Sequence, residues 1–160
     1  MNQFMDMMED RTLKEIQLYY NTHLDEIFDS HTLFSIACMN GRIDVAKWAL
    51  SINPGIDLVL FSESNEFKKL CYDAASCSYM KKNNLLELIQ WLLRQNIFMD
   101  TSFIDREYFL RACQCGNLDF AKWFMQMNPD FDVCFNENEA FEEAYHSGNF
   151  ELVKWLFEMI

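Results

Sequence analysis

The sequence predicts an all-α fold, a helical-repeat solenoid of about four helix pairs behind an N-terminal capping helix. Three observations predict it. Gly41, Asn84, Gly116 and Gly148 each stand seven residues ahead of a tryptophan, namely Trp48, Trp91, Trp123 and Trp155, so one frame recurs four times. On that frame the columns keep their chemistry: Ile43, Leu86, Leu118 and Phe150, then Ala46, Ile89, Ala121 and Val153. Their spacing follows the helical period of about 3.6 residues that leaves one apolar face to bury. Units of this kind bury that face by stacking on their neighbours.

Composition narrows the alternatives. At 160 residues and 51% hydrophobic, the chain can build a real core. No run approaches the roughly 20 apolar residues that span a bilayer. Asp6, Glu9 and Asp10 lie where a signal peptide would be basic, so an intracellular, cytoplasmic location is expected. The six cysteines are then read as free thiols. A formal net charge of −12 works against nucleic acid and anionic membrane as partners and favours a protein with a basic surface.

Residues 1–29 read as an N-terminal segment and capping helix. Up to Asp10 no helical period is sustained, and a frayed start is expected. Thr12-Leu13-Lys14-Glu15 fits the capping box, in which hydroxyl and carboxylate satisfy free amides of the first turn, and predicts a helix from about Leu13 to Asn21. Repeats are expected at about 30–58, 65–101, 106–133 and 138–160. In the first, Leu33, Phe34, Ile36, Ala37 and Cys38 form a short helix that stops at Asn40-Gly41, where glycine takes a left-handed conformation at no steric cost. A second helix carries Ile43, Val45, Ala46, Ala49 and Leu50 and ends before Asn53-Pro54-Gly55, a turn.

The first turn of each second helix holds an acid, Asp44, Glu87, Asp119 or Glu151, where the helix dipole favours negative charge. Lys47, Lys122 and Lys154 follow three residues later and are expected to pair with those acids. Trp91 and Trp123 are 32 residues apart, as are Trp123 and Trp155, but Trp48 and Trp91 are 43 apart. The added length is placed mainly at Ser78-Tyr79-Met80-Lys81-Lys82-Asn83, with some in a loop after Leu50.

Thr32-Leu33-Phe34-Ser35-Ile36-Ala37-Cys38 and Gly41-Arg42-Ile43-Asp44-Val45-Ala46-Lys47-Trp48 resemble the two helix motifs of a divergent ankyrin repeat, whose unit is near 33 residues. The resemblance extends over about Ser30 to Ile160. The Ala-Lys-Trp wording and the Asn-Pro turns are similar to those in ankyrin proteins of giant DNA viruses, which would make this a viral protein that engages a host protein. A tetratricopeptide array, with a unit near 34 residues, is the structural alternative. The family's Pro and His are absent from every copy, and in the family that His and the Thr tie neighbouring repeats together. The resemblance implies a protein-binding groove lined by residues just before each helix stop: Met39 and Asn40, Gln114 and Cys115, His146 and Ser147.

A second candidate is a run without Lys or Arg: Asp130, Asp132, Glu137, Glu139, Glu142 and Glu143. It reads either as a solvated linker and helix entrance or as an acidic lip that steers a basic partner. The tryptophans recur inside apolar faces and are read as seams between repeats rather than a stacking ladder. Cys113 and Cys115, with Cys38, Cys71, Cys77, Cys134 and His146, lack the paired-knuckle spacing of a zinc site. Cys38 and Cys113 instead occupy a small-residue core column. His23, His31 and His146 are far apart, and neither a phosphate-cradling glycine loop nor a nucleophile elbow occurs, so no catalytic residue, metal or cofactor is expected. The function expected is a non-catalytic protein-interaction module. The alternatives are an assembly component that packs through its apolar repeat ends and an acidic mimic that binds a basic surface.

Overall fold

Six of the helices begin where a side chain accepts from an otherwise unpaired amide of the first turn. A computed structural model of the chain describes residues 8, 11–23, 29–76, 85–96 and 98–159, the side chain of residue 137 excepted. Expectations for most of the first ten residues, for the Ser78 to Asn83 junction and for Cys77, Asn84, the Glu137 side chain and Ile160 lie outside these. Among the described residues the fold is ten helices with no strand: α1 (Leu13–Thr22), α2 (Ser30–Met39), α3 (Ile43–Ile52), α4 (Leu58–Glu63), α5 (Asn65–Ser76), α6 (Leu85–Gln95), α7 (Arg106–Gln114), α8 (Leu118–Met127), α9 (Phe135–His146) and α10 (Phe150–Phe157). The expected capping box opens α1: Glu15 N–H donates to Thr12 Oγ1 at 3.4 Å, and Thr12 N–H donates to Glu15 Oε2 at 2.9 Å. Asp29 caps α2 by accepting from Thr32 N–H at 2.8 Å.

The glycine frame stops the first helices as the sequence predicts. Gly41, Gly116 and Gly148 have φ of 65°, 68° and 74°. Behind two of them the same pair of bonds closes the helix end. Gly41 N–H donates to Cys38 O and Arg42 N–H to Ala37 O, while Gly116 N–H donates to Cys113 O and Asn117 N–H to Ala112 O.

The added length between Trp48 and Trp91 is not only loop. Asp57 Oδ1 accepts from Val59 and Leu60 N–H, both at 3.0 Å, and starts the extra helix α4. Its Phe61 sits against Phe34 and Phe67, with ring centroids 5.1 and 5.7 Å apart. An acid that can cap, followed by Leu58-Val59-Leu60-Phe61, was the sequence signal for this helix.

Two compact units divide the chain, Met1–Leu70 with Lys82–Met99 and Cys71–Lys81 with Asp100–Ile160. In the first, α2 and α3 pack as a pair, and Tyr20 of α1 meets Trp48 of α3 edge-on at 5.4 Å. In the second, α7 pairs with α8, α9 pairs with α10, and α9 lies on α7. Phe109, Phe124 and Phe131 form a cluster there with centroids 5.0 to 5.1 Å apart, and Phe135 joins it through Phe131.

Neighbouring pairs are tied by the residue that follows each glycine. Asn149 Nδ2 donates to Gly116 O at 2.6 Å while its Oδ1 accepts from Leu152 N–H at 3.1 Å. Asn117 does the same, reaching Ala74 O at 2.8 Å and accepting from Phe120 N–H at 3.1 Å. At the corresponding position of the first unit, Arg42 Nη1 donates to Met8 O at 2.7 Å and to Arg11 O at 2.9 Å. In each case the residue after the glycine joins its helix pair to an earlier stretch of the chain.

Two packing expectations change. Asp44 is held by Arg42 through bonds of 2.8 and 2.9 Å, while Lys47 lies over the Trp91 ring at 5.6 Å, and Lys154 meets Glu158 at 3.8 Å. The acid-to-lysine pairs three residues apart therefore do not form at these two positions, because a nearer guanidinium, an indole face and a carboxylate one turn on compete for them. Of the four tryptophans only Trp123 is buried; Trp48, Trp91 and Trp155 are half-buried.

Asn149→Asp keeps the cap oxygen and loses the donor, so urea unfolding should show a loss of about 1–3 kcal/mol. A variant as stable as wild type would remove the tie. Gly116→Ala should cost more than Gly148→Ala, because a Cβ at Gly116 would lie 3.0 Å from Asn149 Cβ, whereas at Gly148 nothing lies within 4 Å. Trp123→Ala should cost about 3–5 kcal/mol and Trp155→Ala clearly less in the same assay.

Candidate protein-docking site

The positions that the resemblance placed in a groove are helix ends, and their chemistry follows from that. Met39 is the exposed last residue of α2, and the Asn40 amide is spent on its own helix, donating to Ile36 O at 2.8 Å. What Asn40 offers outward is its oxygen. Both belong to the first unit. The other four belong to the second. Gln114 and His146 are exposed at the ends of α7 and α9. Cys115 and Ser147 are half-buried and share an open depression of about 480 Å³ with Gly116, Gly148, Asn149, Phe150 and Glu151. The Ser147 hydroxyl donates to Ala144 O at 2.7 Å and accepts from Asn149 N–H at 3.2 Å, so it is committed to the turn.

The acidic run is built by an irregular entrance to α9. Asn136 and Asn138 have φ of 47° and 73°, the left-handed region that asparagine tolerates better than most residues. Asp132 Oδ1 accepts from Cys134 N–H at 2.9 Å, and Glu139 Oε2 accepts from Asn136 Nδ2 at 3.0 Å. Asp130, Asp132 and Glu142 are exposed and Glu139 is half-buried. Among the described residues none of these four carboxylates is in an ion pair.

One aromatic group escaped the sequence reading. Tyr72 and Tyr108 meet edge-on at 6.0 Å, Phe103 meets Tyr108 at 5.9 Å, and the Arg111 guanidinium lies over Tyr72 at 5.6 Å while Nε donates to Ser76 Oγ at 2.9 Å. Burial pushes the Tyr108 hydroxyl up to about 12, with neighbouring acidic groups adding to the shift. The residues lie on α5, α7 and the turn before α7, separations that no periodicity links.

Thiol chemistry is suppressed where the thiols are buried. Cys38 and Cys71 are shifted well above the ordinary thiol range by burial. Cys113 is pushed up to about 12, first by burial and then by the charge of Glu143. These three thiols are protonated at neutral pH and lack the thiolate that binds metal or attacks carbon. Among the described residues no group of three or more His, Cys, Asp or Glu could hold a metal ion, and no helix is long and apolar enough to cross a membrane.

These features define an all-helical protein of paired helices that presents charge and helix ends at its surface. The family model for the ankyrin repeat matches residues 29–59, the stretch that holds α2, α3 and the start of α4. An ankyrin repeat therefore stands in the first unit, and the helix pairing elsewhere is consistent with the same architecture. Ankyrin repeats generally mediate protein–protein interactions. No curated protein and no solved structure matches the chain.

Iodoacetamide at pH 8 should modify Cys115 and Cys134 in the folded protein, with Cys38, Cys71 and Cys113 reacting only on unfolding. Peptide mass spectrometry reads each site, and Cys113 labelling as fast as Cys115 would contradict this burial pattern.

Proposed function

We propose that the chain is a non-catalytic protein-interaction module whose acidic stretch steers a partner with a basic surface onto the helix ends. The observation that carries this is the run from Asp130 to Glu143, which has no Lys or Arg, together with the absence of ion pairs at its five described carboxylates, Asp130, Asp132, Glu139, Glu142 and Glu143. Carboxylates left unpaired at a surface extend a negative field about a Debye length into solvent, roughly 8 Å at physiological salt. Such a field raises the rate of encounter with a cation-bearing protein more than it raises final affinity.

In this reading the stacked units fall at about 30–58, 65–101, 106–133 and 138–160, with Met39, Asn40, Gln114, Cys115, His146 and Ser147 as contact residues at their helix ends. Asp130, Asp132, Glu137, Glu139 and Glu142 form the lip. The location is intracellular. Similarity of the repeat wording to ankyrin proteins of giant DNA viruses supports a host protein as the partner to seek first.

The test begins with pull-down from host lysate, comparing wild type with Glu139→Lys/Glu142→Lys, and continues with stopped-flow association at several salt concentrations. The double reversal should slow association by about tenfold at low salt and flatten its salt dependence. An unchanged association rate would remove the lip from the mechanism.

A further inference from the structure

Within the second unit, the turn before α7 and the last turn of α8 border a cavity of about 130 Å³. Its apolar lining is Ile104, Phe124 and Met127, and its polar lining is Thr101, Ser102, Asn128 and the indole of Trp123. Trp123 is 6% exposed, and its indole N–H has no acceptor among the described residues. Among those residues no side-chain nitrogen or oxygen sealed from solvent lacks a partner, so this N–H is not sealed. The open space that Trp123 borders is this cavity. The other polar groups are held in place yet keep a bond to spare. Thr101 O accepts from Ile104 N–H at 2.9 Å and Ser102 N–H donates to Asp100 Oδ1 at 2.9 Å, which fixes the turn and leaves both hydroxyls without a partner. Asn128 spends its backbone N–H and its Nδ2 on Phe124 O, at 2.9 and 3.0 Å, and its Oδ1 is left unpaired.

The lining decides what fits. A void of this size is well below a drug-sized site and close to the roughly 150 Å³ that holds one benzene ring, so it takes a single group of side-chain size. None of the lining residues is charged, and the carboxylate that holds the turn, Asp100, is bonded to Ser102 N–H. An ion would therefore lose its hydration with no countercharge to replace it. A hydrocarbon group would cover the indole N–H and Asn128 Oδ1 and leave both unpaired. Their needs are opposite, since the indole only donates and the amide oxygen only accepts. A carboxamide answers both at once: its oxygen accepts from Trp123, its NH₂ donates to Asn128, and the two hydroxyls take either role.

We propose that this cavity receives a carboxamide side chain, glutamine or asparagine, of a partner protein. An uncharged lining has nothing to hold the amino and carboxylate ends of a free amino acid, so the rest of the ligand is polypeptide that stays outside. The inference rests on the reading of the chain as a protein-interaction module. It does not rest on the acidic lip, because every lining residue precedes Asp130.

The probe is N-acetyl-glutamine methylamide, compared with its methionine and glutamate counterparts and with free glutamine. Indole and backbone amide chemical shifts of the full chain are followed to about 50 mM, which covers the millimolar affinity that so few atoms reach. The glutamine probe should shift the Trp123 indole N–H and the backbone amides of Ser102, Ile104 and Asn128, while the indoles of Trp48, Trp91 and Trp155 stay in place. Thr101→Val/Ser102→Ala should weaken binding about tenfold and keep the melting curve, because neither hydroxyl has a partner to lose. If the valine disturbs the turn, Ser102→Ala alone should still weaken binding about threefold. Glu139→Lys/Glu142→Lys should leave it within about twofold, so the pocket and the lip fail separately. The proposal is overturned if the glutamine probe leaves the Trp123 indole unshifted, the outcome for a cavity that holds only water. It is also overturned if the methionine or glutamate probe binds as well, or if the hydroxyl variants bind equally. Free glutamine binding about tenfold tighter than the blocked form would overturn it too, by making this a site for the free amino acid.

Discussion

An asparagine amide that faces two ways holds the helix pairs of the second unit in register. Its oxygen caps the helix it begins, and its nitrogen is held by a carbonyl of the pair before it. Asparagine is well suited because it combines a strong acceptor and a donor on one short planar group, a few bonds from the backbone. Gly116 is part of the same device. Its positive φ ends the helix, and its missing side chain leaves room for Asn149 to approach. Arg42 reaches the same end with a longer side chain, and gripping Asp44 fixes the guanidinium that donates to Met8 and Arg11. Asp44, in turn, is held below its ordinary carboxylate range, chiefly by that hydrogen bond.

Much of this architecture was legible because it repeats. Helix type, the glycine stops, the capping box at Thr12 and Glu15 and the burial of Cys38 and Cys113 follow from a frame visible in the letters alone. What was not legible depended on choices among competing partners. Lys47 could have met Asp44, but folding brings the Trp91 ring near and gives Asp44 a guanidinium two residues away. Helix α4 was hidden in a stretch treated as insertion, although Asp57 had the chemistry to start it. The Tyr72, Tyr108 and Arg111 cluster joins residues on different helices, which no period in one sequence can anticipate. Of the candidate site, the acidic run was visible as composition. That Ser147 is occupied by its own turn, whereas Gln114 is exposed, needed coordinates.

Framework and surface divide along the columns. Positions that meet identical packing demands in every pair keep the same residue class, and departures mark places where that demand has ended or changed. Tyr145 is such a departure, a large ring in a column of thiols, and so are Phe150 and Phe157 in columns that are elsewhere partly covered. The acidic entrance to α9 differs in origin. There two asparagines in the first turn of α9 have positive φ, and the carboxylates are divided between the turn before α9, with Asp130 and Asp132, and the helix itself, with Glu139 and Glu142.

The ties between neighbouring pairs have a direction. Arg42 reaches back to Met8 and Arg11, Asn117 to Ala74, and Asn149 to Gly116; in each case the donor is later in the chain than the acceptor. During synthesis the N-terminal part of a chain is available first. Each new donor therefore emerges when the carbonyl it needs has already been made, and no carbonyl has to be held in readiness by a segment still to come. Read along the ribosome's time axis, each of these three ties fastens a newly made segment to one already in place.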